Sequence, residues 1–215
     1  MKIKLSGKPT SSTKICFIYQ DNSSSIQDFQ CKCGDITVRY EKELTIIYCG
    51  LGEPANCTTA EFRAASAKGI QKAIELKREK VCLLVPKTAD TTEISKAIAE
   101  GALLGAYKFS AYKTEKPFQI NQAELVCSSQ SNASLKAIVA VCEAVLYARD
   151  LVNENASIVT PEYLANEAKL LGSAPDFKVH VLDEKELRRK NLNLISAVGQ
   201  ASSTPPRLII IEYTG

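Results

Sequence analysis

The chain has 215 residues, a net charge of +3, and 45% hydrophobic and 24% charged side chains. This is the composition of an ordinary globular protein, with room for one large domain or for one domain and part of another. The positive excess is too small to argue for nucleic acid. No window reaches the roughly 18–20 uninterrupted apolar residues of a membrane span, and the start, MKIKLSGKPTSS, lacks the apolar core of a secretory signal.

The first strand signal is Lys14–Gln20 (KICFIYQ), followed by a polar turn cluster at Asp21–Ser25 and a second turn at Gly34-Asp35. Leu44–Cys49 (LTIIYC) reads as a buried strand ending at Gly50-Leu51-Gly52. Thr58-Thr59-Ala60-Glu61 has the form of a capping box, in which hydroxyl and carboxylate satisfy orphan backbone N–H groups. The helix it opens runs to about Lys77, with Phe62, Ala65, Gly69, Ala73 and Leu76 as its apolar stripe. Val81–Val85 is the next strand, stopped by Pro86. Asp90-Thr91-Thr92-Glu93 repeats the capping-box form before a helix, rich in small residues, that extends through Leu104 and suits close packing against a sheet. Gln122–Cys127 is a further strand. Strand and helix alternate, which points to an α/β domain with at least part of its sheet parallel.

Ser131–Asn153 is the longest helical pattern, with Leu135, Ile138, Val139, Cys142, Val145 and Leu146 on one side and no Gly or Pro inside it. At 1.5 Å per residue it would span roughly 35 Å, long enough to bridge two domains. Thr160-Pro161-Glu162 starts another helix, with Thr as N-cap and Pro in the first turn, which ends at Gly172. Beyond it we read strands at Phe177–Leu182, Ile195–Val198 and Arg207–Tyr213 and a short capped helix at Asp183–Arg189. These last strands look buried on two faces, as in a helix-covered parallel sheet. There is no internal repeat.

Each chemical reading has a plainer one beside it. Gly50-Leu51-Gly52 lacks the third glycine of a dinucleotide fingerprint and the Gly-Lys-Ser/Thr of a P-loop, and Glu53 would repel a phosphate. A strand-to-helix turn fits better. Cys31-Lys32-Cys33 offers two thiolates, but a structural zinc site needs four ligands and no second closely spaced pair exists; a sheet-edge position with partly exposed thiols is expected. Of the eight cysteines, Cys16, Cys49, Cys82, Cys127 and Cys142 sit in apolar patterns and read as reduced, buried small hydrophobes. The one histidine, His180, alternates with Val179 and Val181 and belongs on a polar strand face. Lys68, Lys72, Lys77, Arg78 and Lys80 form the one basic concentration, interleaved with Glu75 and Glu79 as on a solvated helix. A weak contact surface for a nucleic-acid backbone is its functional reading. The Asn-x-Ser/Thr sequons at Asn22, Asn56, Asn132 and Asn155 are chance matches in a Ser- and Thr-rich chain.

Three segments together resemble the leucyl aminopeptidase (cytosol aminopeptidase) family of two-metal exopeptidases: Ala148–Asn153 (ARDLVN), Thr160–Ala165 (TPEYLA) and Ala197–Tyr213 (AVGQASSTPPRLIIIEY). Ile98–Lys113 (IAEGALLGAYKFSAYK) adds a weaker match to the family's amino-terminal domain, and Asn153–Ile158 departs from a proline-containing loop found in many members. The resemblance implies an amino-terminal α/β domain with a mixed sheet over residues 1–130, a linker helix and loop over 131–159, and the start of an α/β catalytic domain, truncated, over 160–215. For the parent protein it implies removal of N-terminal residues from peptides, two divalent ions (Zn or Mn), a hexamer and a cytoplasmic location, with no membrane partner. The family's metal ligands and catalytic groups lie downstream of its EY-x-G segment, so no catalytic, cofactor or metal residue can be assigned in this chain, and the chain by itself is expected to be inactive. A non-enzymatic module binding a nucleotide-like ligand, nucleic acid or a partner subunit is the alternative.

Overall fold

A computed structural model describes residues 1–21, 26, 29–86, 91–127 and 131–214. The turn cluster expected at Asp21–Ser25 falls outside these except for Asp21, as does Asp90 of the second capping box. The chain divides into two compact units, Met1–Arg149 and Asp150–Gly215.

The first unit is a six-stranded mixed sheet in the order β1-β6-β5-β2-β4-β3. Its strands are β1 (Lys2–Ser6), β2 (Thr13–Ile18), β3 (Ile36–Glu41), β4 (Leu44–Gly50), β5 (Lys80–Leu84) and β6 (Gln122–Val126). Five run parallel; β3 alone is antiparallel, on the edge beside β4. Helix α1 (Thr59–Glu75) joins β4 to β5 and α2 (Thr91–Gly105) joins β5 to β6. Both crossovers step the same way along the sheet, so right-handed connection puts both helices on one face. Ile15, Ile47, Leu83 and Leu125 stand in one row of the register beneath them, each fully buried. The capping box at Thr58 is formed as expected: the Glu61 carboxylate accepts from Thr58 N at 2.7 Å while the Thr58 hydroxyl accepts from Ala60 N at 3.2 Å.

The small residues of α2, expected against the sheet, serve chiefly its contact with α1. A Cβ on Gly101 would lie 2.1 Å from the Arg63 carbonyl oxygen, and one on Gly105 2.5 Å from Ala67 Cα. The Ser66 hydroxyl donates across the same contact to the Ile98 carbonyl at 2.7 Å. Helix α3 (Asn132–Asn153) adds Leu135, Ile138 and Cys142 to the core, and the division between the units falls in its last turn.

The second unit holds α4 (Pro161–Leu171), β7 (Phe177–Leu182), α5 (Glu184–Arg189), α6 (Asn193–Gly199) and β8 (Leu208–Tyr213). Thr160 caps α4 by accepting from Tyr163 N at 3.2 Å. Two expectations are corrected. Ile195–Val198 is the middle of α6, because a four-residue segment (Ile-Ser-Ala-Val) is too short to show a period and local hydrogen bonding decides. β7 and β8 pair antiparallel and half-exposed instead of forming a doubly covered parallel sheet; the Phe177 and Tyr213 rings meet across the pair at 5.0 Å, tilted by 35°.

Candidate functional site

The Gly50–Gly52 turn is a plain structural turn, filled by the chain itself. Gly50 N donates to the Asp35 carbonyl, Leu51 N to Ile18 and Gly52 N to Cys31, each at 2.9 Å, so none of the three amides is open to an anion. Gly50 permits close approach, since a Cβ there would lie 2.2 Å from the Lys32 carbonyl oxygen, and Gly52 has φ +78°, the left-handed region that favours glycine.

That contact corrects the expected sheet-edge position of Cys31-Lys32-Cys33. The segment wraps over the turn; Cys31 is fully buried with Ile26 and Phe29, while Cys33 is exposed. Burial, and then the Asp35 carboxylate, push the Cys31 thiol up, away from the thiolate a metal requires. Among the described residues, no group of three or more His, Cys, Asp or Glu side chains is placed to hold a metal ion. The described residues thus offer no ligand set that fits a divalent centre, and no step through one is derived from them. Cys49, Cys82 and Cys142 are buried as expected, whereas Cys16 and Cys127 are only partly covered.

His180 lies on the exposed side of β7, as its alternation predicts. The basic concentration is broken up: Lys68 Nζ donates to the Gly34 carbonyl at 3.0 Å, Lys72 pairs with Glu75 at 2.9 Å, and Arg78 Nε is buried. It forms no continuous basic face. In the second unit a largely apolar cleft of about 450 Å³ is lined by Pro161, Leu194, Ile195, Val198, Pro206 and Arg207.

The sequence reading missed Glu124, the one acidic side chain buried among the described residues, at 2% exposure. Burial alone would raise its carboxyl. Hydrogen bonds from Cys82 Sγ, Thr10 and Lys4 outweigh that and hold it down at about 2. An acidic residue between Ala123 and Leu125 in a strand was the available signal.

An α/β unit with a mixed sheet, followed by a smaller unit, is the class the architecture defines. Two adjacent family models match the chain in order: the amino-terminal domain of the cytosol aminopeptidase family over residues 16–116 and the catalytic domain of the same family over residues 146–215. The chain belongs to the cytosol aminopeptidase family. It is 36% identical over 168 residues to a probable cytosol aminopeptidase of Aquifex aeolicus, covering 76% of this chain and 34% of that protein. It is 31% identical over 207 residues to the one of Protochlamydia amoebophila, covering 91% of this chain and 42% of the relative. The chain thus spans about a third to two-fifths of the length of these relatives. A tomato leucine aminopeptidase mutant superposes with a TM-score of 0.84 at 20% identity, over 98% of this chain and 50% of that one. The bottromycin maturation enzyme BotP in complex with Mn gives 0.78 at 23% identity, over 93% and 44%. At these identities the two structures show the shared fold.

Proposed function

We propose that this chain is the amino-terminal part of a metal-dependent aminopeptidase that removes N-terminal residues from peptides. The observation that carries the reading is the order of the two family models, amino-terminal domain and then catalytic domain, along one chain. In this proposal residues 1–130 are the amino-terminal α/β domain, 131–159 the linker helix and loop, and 160–215 the start of the catalytic domain. The parent enzyme is a cytoplasmic hexamer. Two divalent ions, Zn or Mn, would supply the Lewis acidity of that parent enzyme, which polarises a scissile carbonyl and lowers the pKa of a bound water. The manganese complex of a structural relative supports divalent-metal use, and the absence of any helix long and apolar enough to cross a membrane, among the described residues, is compatible with the location.

None of the described residues is assigned a catalytic role, so residues 1–215 alone are inactive in this reading. Purified chain assayed on a leucyl anilide with added Mn²⁺ or Zn²⁺ should match a mock preparation, and hydrolysis above it would overturn the proposal. A non-enzymatic nucleotide- or nucleic-acid-binding module is not favoured, because the glycine turn spends its amides internally and the basic side chains are dispersed.

A further inference from the structure

The connection Gly7–Ser12 runs from β1 to β2, three places along the sheet in the direction opposite to the helical crossovers. It therefore crosses the face that α1 and α2 leave bare. No apolar side chain of this strap is buried; Gly7, Lys8, Pro9 and Thr10 are all exposed, and a Cβ on Gly7 would meet nothing within 4 Å. What holds it is polar and converges on one spot. Thr10 donates from its backbone N–H (3.0 Å) and its hydroxyl to the Glu124 carboxylate. Ser11 N donates to Cys82 Sγ at 3.3 Å, and the Ser11 hydroxyl to the Lys80 carbonyl at 2.7 Å. Cys82 in turn donates to Glu124 at 3.0 Å, and Lys4 closes the other side of the carboxylate at 3.2 Å. The register sets Lys4, Glu124 and Cys82 side by side on neighbouring strands, so the catch is built into the strand order.

We propose that the Gly7–Ser12 strap is a conformational latch that opens independently of the rest of the fold, with Glu124 as its catch and Cys82 as the thiol it conceals. A segment with no buried apolar surface and a few polar tethers sits at the low end of local stability, whereas the strands beneath it open only with the whole unit. Cys82 is 0% exposed, yet it lies directly under the tethers. Cys49 is also 0% exposed but faces the helices, so only disruption of the core uncovers it. Strap opening thus uncovers Cys82 without disturbing the core, and Cys49 is the built-in control.

The test is peptide-resolved alkylation of the full chain with iodoacetamide, in which the cysteine S–C bond forms, iodide leaves and the thiol proton passes to solvent. Cys82 should be labelled at least roughly tenfold faster than Cys49. Removing a charge-assisted tether in Glu124→Gln or Thr10→Val should speed Cys82 labelling by about tenfold again; Cys49 labelling rises with the accompanying loss of global stability, so Cys82 should stay at least roughly tenfold ahead of it in each variant. Equal rates for the two thiols in the wild type or in either variant, or Cys82 labelling that the variants leave unchanged, would overturn the latch. Wild-type chain across low urea concentrations gives a reading that no variant can spoil. Local opening exposes little surface, so the Cys82 rate should depend weakly on urea and the Cys49 rate steeply, and equal slopes would also overturn it.

Discussion

At the scale of single residues, two positions show how tightly the first unit is specified. Gly101 is where α2 meets the backbone of α1, and the atom a methyl would strike, 2.1 Å away, is the Arg63 carbonyl oxygen, which cannot rotate aside. Gly101→Ala should therefore cost about 2–3 kcal/mol in urea denaturation, the upper range for overpacking. Gly7→Ala faces open space and should stay within about 0.5 kcal/mol of wild type. Glu124 makes a pH prediction. Its carboxyl is depressed from 4.5 to about 2, so its contribution is fully present above pH 4.5 and is lost as pH falls toward 2. Stability measured by urea midpoint should drop between pH 5 and pH 2.5, and Glu124→Gln should remove that part of the drop. A variant whose pH dependence matched wild type would show that Glu124 is not the group responsible.

At the scale of elements, helix entry is governed by local chemistry that both sequence and structure display. Thr58 and Glu61 satisfy each other's backbone groups at the start of α1, and Asp183 and Glu186 do the same for α5. Loss of such a cap costs about 1 kcal/mol. Thr58→Ala should destabilise by roughly that amount and Glu61→Ala in the same direction, and the double variant by less than the sum, because the two tethers share partners. Additive losses in a double-mutant cycle would mean that the box acts as two independent caps. The edge strand β3 and the hairpin-like pair β7–β8 behave differently. Their placement depends on neighbours far along the chain, and neither carries a signal as definite as a cap.

At the scale of the whole molecule, the two units differ in how well they cover themselves. Ten of the fifteen large apolar side chains exposed among the described residues lie beyond Asp150, with Leu194 at 85% and Val198 at 84%. Among the described residues β8 pairs with β7 alone, and Ile210, Ile211 and Tyr213 are exposed along it. An apolar strand edge of this kind favours association between copies. Hydrogen exchange should accordingly be far faster in residues 160–214 than in β2, β4 and β5, and light scattering should show concentration-dependent self-association that Ile211→Lys reduces. Uniform slow exchange through both units, in a strictly monomeric chain, would contradict this.

Legible from residue order were the α/β class, the two helix caps at Thr58 and Asp183, the N-cap at Thr160, the strands at Leu44, Val81 and Phe177, and the exposed side for His180. Each of these is local, resting on a side chain bonding to backbone three residues away or on an alternation that repeats every two or 3.6 residues. Of these only Thr160 falls in the segments that carry the family resemblance, Ala148–Asn153, Thr160–Ala165 and Ala197–Tyr213. Tertiary structure alone decided the strand order, the antiparallel pairing of β7 with β8, the helical state of Ile195–Val198, and the use of the α2 glycines against α1. It also turned Glu124 from an ordinary acidic residue into the buried catch of a strap, because its partners Thr10 and Cys82 lie 114 and 42 residues away. No periodicity encodes a contact across that separation; it exists only once the right-handed crossovers have set which strands are neighbours and which face is left bare.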